Sequence, residues 1–397
     1  MSGRFNSDVY ARRISAAAAG ATAAGLAGLI ITPGYDLRYL IGSRAQTFER
    51  LTALVIPAAG GQERSDPGKT IGGQERSDPG KTIGEPVVVL PRMELAALRE
   101  SAVVDLGLTV RDWIDGENPY RLVADVLGGG PVATAVTDSM PALHLLPLAD
   151  VLGAVPVLAT GVLAGLRMIK DPAEIDALRT AGAAIDRVHA RVPQFLAPGR
   201  TEAQVAADIT EAIVAEGHSE AAFVIVGSGP HGADPHHECS DRVLQAGDIV
   251  VVDIGGPVEP GYNSDSTRTY SLGEPTSQIA AQYAVLQRAQ AAAVAAVRPG
   301  VSAEQVDAAA RDVLADAGLA EFFVHRTGHG IGLSVHEEPY IVAGNDLPLA
   351  EGMAFSVEPG FYLPGQWGAR IEDIVIVTAE GALSVNNRPH DLTVVPL

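Results

Sequence analysis

Residues 248–270 read DIVVVDIGGPVEPGYNSDSTRTY. Three valines precede Asp253, so Asp248–Ile254 predicts a buried strand that carries a carboxylate. The Pro257–Gly261 cluster predicts a turn. The polar, β-prone run Tyr262–Tyr270 predicts a returning strand that carries Asp265. The two aspartates are symmetric about residue 259, which on an antiparallel hairpin sets them face to face, roughly 5 Å apart. A second stretch repeats the arrangement. Met353–Glu358 (MAFSVE) predicts an apolar strand ending at Glu358, and Ala369–Val377 (ARIEDIVIV) another that holds Glu372. These glutamates are symmetric about Gly365. Two carboxylates roughly 5 Å apart repel by about 3 kcal/mol at an effective dielectric near 20. Four converging on buried strands therefore require cations or protons.

Histidines flank both stretches. His329 lies in TGHGIG (327–332), whose glycines permit close backbone approach, and His336 lies in VHEEP (335–339). His236 lies in DPHHE (234–238), 100 residues before His336. The helices upstream repeat at a similar offset: PGRTEAQV (198–205) is echoed by PGVSAEQV (299–306), 101 residues on. Each copy sets Thr201 or Ser302 at an N-cap with Gln three residues later, a capping box. The two helices are expected to end at Gly217 and Gly318. The region therefore reads as two related halves, each a helix followed by a hairpin with paired acids. Four carboxylates and one imidazole carry a charge of −4, which two divalent cations balance. Oxygen-rich donors with one imidazole suit Mn²⁺, Co²⁺, Fe²⁺ or Zn²⁺ rather than a thiolate zinc site.

The rest of the chain bounds these readings. Its 397 residues suggest two or three domains. With 47% hydrophobic and 19% charged residues it is neither disordered nor fibrous. Lys+Arg number 28 against 48 Asp+Glu, a net charge of −20 that excludes a phosphate-neutralising surface and hence a nucleic-acid partner. The single cysteine, Cys239, excludes a disulfide framework within one chain and is expected to be passive; the cytoplasm is the compartment expected. Residues 14–32 superficially resemble a secretory h-region after Arg12 and Arg13. Alanine anchors poorly in a membrane, and the stretch reads instead as an Ala-rich helix followed by a buried strand, Leu29–Thr32, so no membrane partner is expected. Leu51–Pro57 and Glu85–Leu90 read as neighbouring strands. Between them GGQERSDPGKTI (60–71) recurs letter for letter at 72–83, and an extended, mobile hairpin loop is expected. Its Gly-Lys-Thr lacks the earlier glycine of a phosphate loop. A boundary near 165 divides a smaller α/β domain, 1–164, from an α+β domain, 165–397, whose first helix starts at Asp171-Pro172 and runs to about Arg191.

Asp253, Asp265, His329, Glu358 and Glu372 match in order the five metal ligands of the M24-type metallopeptidases (methionine aminopeptidase, prolidase and aminopeptidase P). The chain resembles that family over 165–397, and the run 329–339 is similar to the Xaa-Pro dipeptidase (prolidase) branch. The first half resembles, more weakly, the creatinase-type N-terminal domain. The resemblance implies the pita-bread fold, whose halves are related by a pseudo-two-fold. It implies that Asp253 binds one metal, that His329 and Glu358 bind the other, and that Asp265 and Glu372 bridge. Two divalent ions per subunit are implied, Mn²⁺ first, with Co²⁺, Fe²⁺ or Zn²⁺ admitted. A metal-bridging hydroxide would attack the carbonyl before proline in an Xaa-Pro dipeptide. His336 would stabilise the oxyanion, Glu358 would carry a proton to the departing nitrogen, and His236 would position the proline end. Arg370 is grouped with His236 and His336 as substrate-binding; two residues before Glu372 on one strand face, it is expected to pair with a metal-bound carboxylate or to form a plain structural salt bridge. A homodimer is also implied. Aminopeptidase P acting on longer peptides is the alternative, and a catalytically silent binding protein of this fold the next.

Two features depart from the family pattern. The Asp253–Asp265 spacing is one residue longer than usual, which calls for a longer turn or a bulge, and the duplicated 12-mer has no counterpart. Other polar residues are given bland roles. His237 reads as structural, His231 and His325 as incidental, Tyr262 and Thr267 as packing or supporting residues. Ser228 lacks the outer glycines of a nucleophile elbow.

Overall fold

The computed structural model describes residues 4–46, 49–59, 84–129 and 131–397. The duplicated 12-mer, 60–83, and the loop expected there lie outside the described residues. The chain forms two compact units, Met1–Leu166 and Arg167–Leu397.

In the first unit the helix Ser7–Ala23 is capped by the Asn6 side chain and buries Tyr10, Ile14, Ala17 and Ala21 at helical spacing. It leads into Gly28–Ile31, a fully buried strand. That strand lies inside a six-stranded sheet ordered Thr109–Trp113, Val87–Pro91, Ala53–Pro57, Gly28–Ile31, Thr134–Val136, Val157–Leu158. Gly28–Ile31 runs antiparallel to Ala53–Pro57 and parallel to Thr134–Val136. The apolar stretch near the start of the chain is therefore a core helix and a central strand. Among the described residues no helix is long and apolar enough to cross a membrane.

The second unit is built twice over. The helix Pro172–Phe195 opens with a capping box between Asp171 and Glu174 and runs past Arg191. The helices Glu202–Ala215 and Ala303–Asp316 both open with a capping box, on Thr201 and Ser302. Each is followed by a glycine at positive φ, Gly217 or Gly318, which ends it in the left-handed region that lacks a Cβ penalty. In the first half Ile185, Val188, Val205, Ile209 and Ile213 of the helices pack on Val250, Val252 and Ile254 of the strand Ile249–Val258. In the second half the helices Ser277–Ala296 and Ala303–Asp316 supply Leu286, Ala293, Val306, Ala310 and Leu314. These pack on Phe355 and Val357 of the strand Ala354–Val357 and on Val375 and Val377 of the strand Asp373–Thr378. Side chains alternate across a strand. With Val252 and Ile254 against the helices, Asp253 points to the opposite face. By the same alternation Ser356 lies on the face of its strand that turns away from the helices. The fold thus sends apolar side chains to the helices and turns Asp253 and Ser356 to the opposite faces of their strands.

The second hairpin is centred on Gly365, as its glutamate spacing implies, but the register of the first hairpin and the extent of one strand differ from the sequence reading. The first hairpin pairs Ile249↔Ser271 through Val258↔Tyr262 without a shift. Its turn is the three residues Glu259–Gly261, closed by the Gly261 N–H on the Val258 carbonyl at 2.7 Å. The centre is therefore residue 260, not 259. Asp253 stands opposite Thr267, and Asp265 opposite Gly255, so the aspartates are diagonal neighbours on one face instead of direct partners. The extra residue of the Asp–Asp spacing requires no bulge. The run Ala369–Val377 is not one strand. It divides at Ile371–Glu372 into Trp367–Arg370, paired with Gly360–Leu363, and Asp373–Thr378, paired with Ala354–Val357. At the division the Glu372 N–H donates to the Thr267 carbonyl at 3.1 Å and the Glu358 N–H to the Thr327 carbonyl at 2.8 Å. Glu372 is thereby stitched to the first hairpin and Glu358 to the loop before His329.

Candidate metal centre

His329 is the middle residue of a short strand, Gly328–Gly330, wedged between Ala354–Val357 and Glu337–Ile341. The wedge is tight. A Cβ on Gly328 would lie 1.8 Å from the Ser356 carbonyl oxygen, and one on Gly330 2.1 Å from that of Glu338. Only glycine permits both approaches. The His329 N–H donates to Ser356 Oγ at 3.0 Å, and Ser356 Oγ–H donates to Glu358 Oε1 at 3.1 Å. One serine thus orients two adjoining groups.

Three carboxylates gather around His329. Its Nε2 lies 3.3 Å from Glu358 Oε1 and 3.6 Å from Asp265 Oδ2. One ligand atom each from Asp265, His329 and Glu372 falls within 4.8 Å of the others. Glu372 Oε2 accepts from Thr267 Oγ1 at 2.7 Å. Asp253 is turned to Arg370, whose Nη2 lies 2.6 Å from its Oδ2; its other oxygen, Oδ1, is buried without a hydrogen-bond partner. The same guanidinium donates to Thr267 Oγ1 (3.0 Å) and Tyr362 OH (2.7 Å). Burial, and then the charges of Asp253 and Glu358, push the Asp265 carboxyl well above the usual range. Burial, and then Asp265, Glu358 and Asp253, do the same to Glu372. Glu358 is pushed up to about 7 by burial, with Arg370 opposing and Asp253 adding. His329 is held down to about 3 by burial and by the charge on His336.

This arrangement fits a cation-binding site. The Nδ1 of His329 lies 3.1 Å from the Gly330 carbonyl, so the hydrogen sits on Nδ1 and the Nε2 lone pair faces two carboxylates. Lone pairs aimed at lone pairs repel unless a cation or proton lies between them. The orphaned Asp253 Oδ1 makes the same demand. Asp265, His329 and Glu372 could together hold a cation, with Glu358 Oε1 3.3 Å from His329 Nε2.

Around this centre the other histidines separate into groups. The His336 ring lies 4.3 Å from that of His329, centroid to centroid. His236 is exposed, its N–H on Asp234 Oδ1 at 3.1 Å. Its charge helps to hold down the pKa values of His336 and His325, after burial and the charges of nearby arginines. His325, expected to be incidental, belongs to the network around Arg370. Arg370 donates to Tyr362 OH, Tyr362 OH lies 2.8 Å from His325 Nε2, and His325 Nδ1 lies 2.7 Å from the Arg326 carbonyl. His237 turns away from His236 and its Nε2 meets Glu202 Oε2 at 2.7 Å. His231, also expected to be incidental, sits on Glu202 too, its Nδ1 3.1 Å from each carboxylate oxygen. The Cys239 thiol donates to the Val224 carbonyl, and burial raises its pKa. Sequence reasoning missed Glu202 altogether. The only signal available was an acid in the first turn of a capped helix, which is common in any helix.

A model of metallopeptidase family M24 matches residues 176–379. Over 394 residues, 99% of each chain, the sequence is 72% identical to a Mycobacterium tuberculosis protein named probable dipeptidase PepE. It is 36% identical over 297 residues to a Lactobacillus helveticus protein named Xaa-Pro dipeptidase, covering 72% of this chain and 79% of that one. The crystal structure of dipeptidase PepE from Mycobacterium ulcerans superposes with a TM-score of 0.91 at 73% identity, covering 99% of this chain and 100% of that one. The doubled helix-and-hairpin architecture is the pita-bread fold of these enzymes. With a family match across the second unit and a buried donor set that calls for cations, the chain belongs to metallopeptidase family M24 and is a peptidase.

Proposed function

We propose that this peptidase is an Xaa-Pro dipeptidase with two divalent cations, Asp253 on one, His329 and Glu358 on the other, Asp265 and Glu372 shared. The observation that carries the reading is the His329 Nε2 lone pair set among buried carboxylates at 3.3 and 3.6 Å. The name of the L. helveticus relative supports the substrate class. Bound there, two divalent cations supply a water of lowered pKa and polarise the scissile carbonyl.

The chain's own groups do the rest. The bond before proline is a tertiary amide without N–H, so the leaving nitrogen must receive a proton as the bond breaks. Glu358 is the acid that delivers it; Ser356 holds its Oε1 in place. His336, beside His329 and less buried, donates to the oxyanion that develops on the carbonyl. His236 holds the proline end. Arg370 keeps Asp253 in one orientation through the 2.6 Å contact and, through Thr267, reaches Glu372.

The test is hydrolysis of a panel of Xaa-Pro dipeptides and Xaa-Pro tripeptides by chelated protein given Mn²⁺, Co²⁺, Fe²⁺ or Zn²⁺. Metal-dependent cleavage of dipeptides alone, lost in Glu372→Ala, is expected, with Mn²⁺ the first cation to try. Cleavage of tripeptides alone would reassign the chain to an aminopeptidase P activity, and no cleavage with any metal would refute the proposal.

A further inference from the structure

A second polar cluster closes around Glu202, the first residue of the helix Glu202–Ala215, whose side chain is fully buried. Its Oε1 accepts from Ser228 N (2.9 Å) and Ser228 Oγ (2.7 Å). Its Oε2 accepts from His237 Nε2 (2.7 Å), Ser240 Oγ (2.7 Å) and Ser240 N (3.2 Å). His231 Nδ1 lies 3.1 Å from both oxygens, its ring against that of His237 with centroids 4.4 Å apart. Burial works against the charge, yet bonds from Ser228, Ser240 and His237 hold the carboxyl down to about 2. Glu202, His231 and His237 also have ligand atoms within 4.8 Å of one another. A cation there would require both imidazoles to give up the N–H they direct at Glu202. The saturated carboxylate is better explained as an anchor.

All of these donors come from residues 228–240, the segment that carries His236. On one side of His236 its own N–H is fixed to Asp234 Oδ1; on the other, His237 is fixed to Glu202. We infer that Glu202 is a positioning residue, which sets through His237 and Ser240 where the His236 ring stands over the substrate. This rests on the proposed role of His236 at the proline end. A carboxylate is required because every bond made to it comes from an N–H or O–H. Glutamine would turn an NH₂ group against those donors.

The test compares Glu202→Gln, His237→Asn and His236→Ala, alone and combined, on an Xaa-Pro dipeptide with metal-loaded protein. Displacing a substrate-holding group by about an ångström costs about ten- to a hundredfold in rate, so Glu202→Gln and His237→Asn should each lower kcat/KM by at least tenfold, mainly through KM. In the His236→Ala background both effects should vanish, because the group they position is gone. A purely structural role would lower the unfolding midpoint and leave the KM of the folded enzyme unchanged, which would overturn the inference. So would effects that simply add to that of His236→Ala. A silent His236→Ala would instead remove the reading of His236 on which the inference stands. Where Glu202→Gln reduces yield, His237→Asn carries the same comparison.

Discussion

Arg370 and Asp253 form an ion pair at 2.6 Å with both residues buried, Arg370 3% and Asp253 9% exposed. Burial opposes a charge on Arg370, but Tyr362, Asp253, Glu358 and Glu372 hold its pKa well above the usual value. It is a fixed positive charge at the edge of an acidic centre. Removing one partner of a buried pair costs about 3–5 kcal/mol, so Arg370→Met should lower the stability of chelated protein by about that much. Arg370→Lys keeps the charge but cannot reach Asp253, Thr267 and Tyr362 at once, and its activity should fall at least tenfold. Urea unfolding and kcat/KM check both; an unchanged midpoint in Arg370→Met would count against this account of the pair.

The acids around His329 repel one another until cations join them. Chelated protein should therefore be markedly less stable than loaded protein. A ligand at 100 times its Kd adds about 2.7 kcal/mol of stability, and Mn²⁺ at that excess should raise the urea midpoint accordingly. Glu372→Gln removes one donor and one of the buried charges. Its chelated form should be no less stable than the chelated parent, while its gain from Mn²⁺ shrinks. Equal gains in parent and variant, measured beside metal content, would exclude Glu372 as a ligand.

What could be read from sequence follows the range of each interaction. The acids on strands were legible because alternation is local: valines on one face of Ile249–Val258 force Asp253 to the other. The register was not legible to the residue. A Pro- and Gly-rich cluster announces a turn but does not say whether two or three residues form it, and one residue moved Asp253 from Asp265 to Thr267. The division at Glu372 was hidden for another reason. Both strands of Ala369–Val377 have strand-like composition, and the break arises because the Glu372 backbone pairs with Thr267, 105 residues earlier. Glu202 was invisible because its donors lie 26 to 38 residues away and are polar residues of ordinary loop type.

Gly328 separates packing from chemistry. Its backbone needs no special conformation; the constraint is the Ser356 carbonyl oxygen, 1.8 Å from where a Cβ would sit. Gly328→Ala must push the strand Gly328–Gly330 away from Ala354–Val357, which carries His329 away from Ser356 and Glu358. Overpacking typically costs about 1–3 kcal/mol, whereas a small displacement of a site group costs about a hundredfold in rate. The variant should fold, with a modestly lower midpoint, and lose far more activity than stability. Retained activity together with a lowered midpoint would show that His329 tolerates the shift.

His189 gives the second unit a defined acid sensitivity. It is 0% exposed on the helix Pro172–Phe195, with Nε2 3.0 Å from the Ser266 carbonyl and Nδ1 2.9 Å from Tyr270 OH. The carbonyl can only accept, so Nε2 carries the hydrogen and Nδ1 accepts from the tyrosine. Protonating Nδ1 would oppose that bond, and burial, aided by the charge on Arg268, holds the pKa down to about 3. The unfolded chain takes up this proton near pH 6.5. The neutral ring therefore contributes stability that is whole above pH 6.5 and is lost progressively as the pH falls toward 3, at about 1.4 kcal/mol per pH unit. His189→Gln can donate to Ser266 and accept from Tyr270 but does not titrate. Between pH 6.5 and 4.5 its unfolding free energy in urea should fall less steeply than that of the parent by about one proton. His325, also held down to about 3, titrates in both proteins and cancels in the comparison. Coincident slopes would mean that His189 is protonated in the folded chain and that the Tyr270 hydroxyl has turned away to make room for the proton.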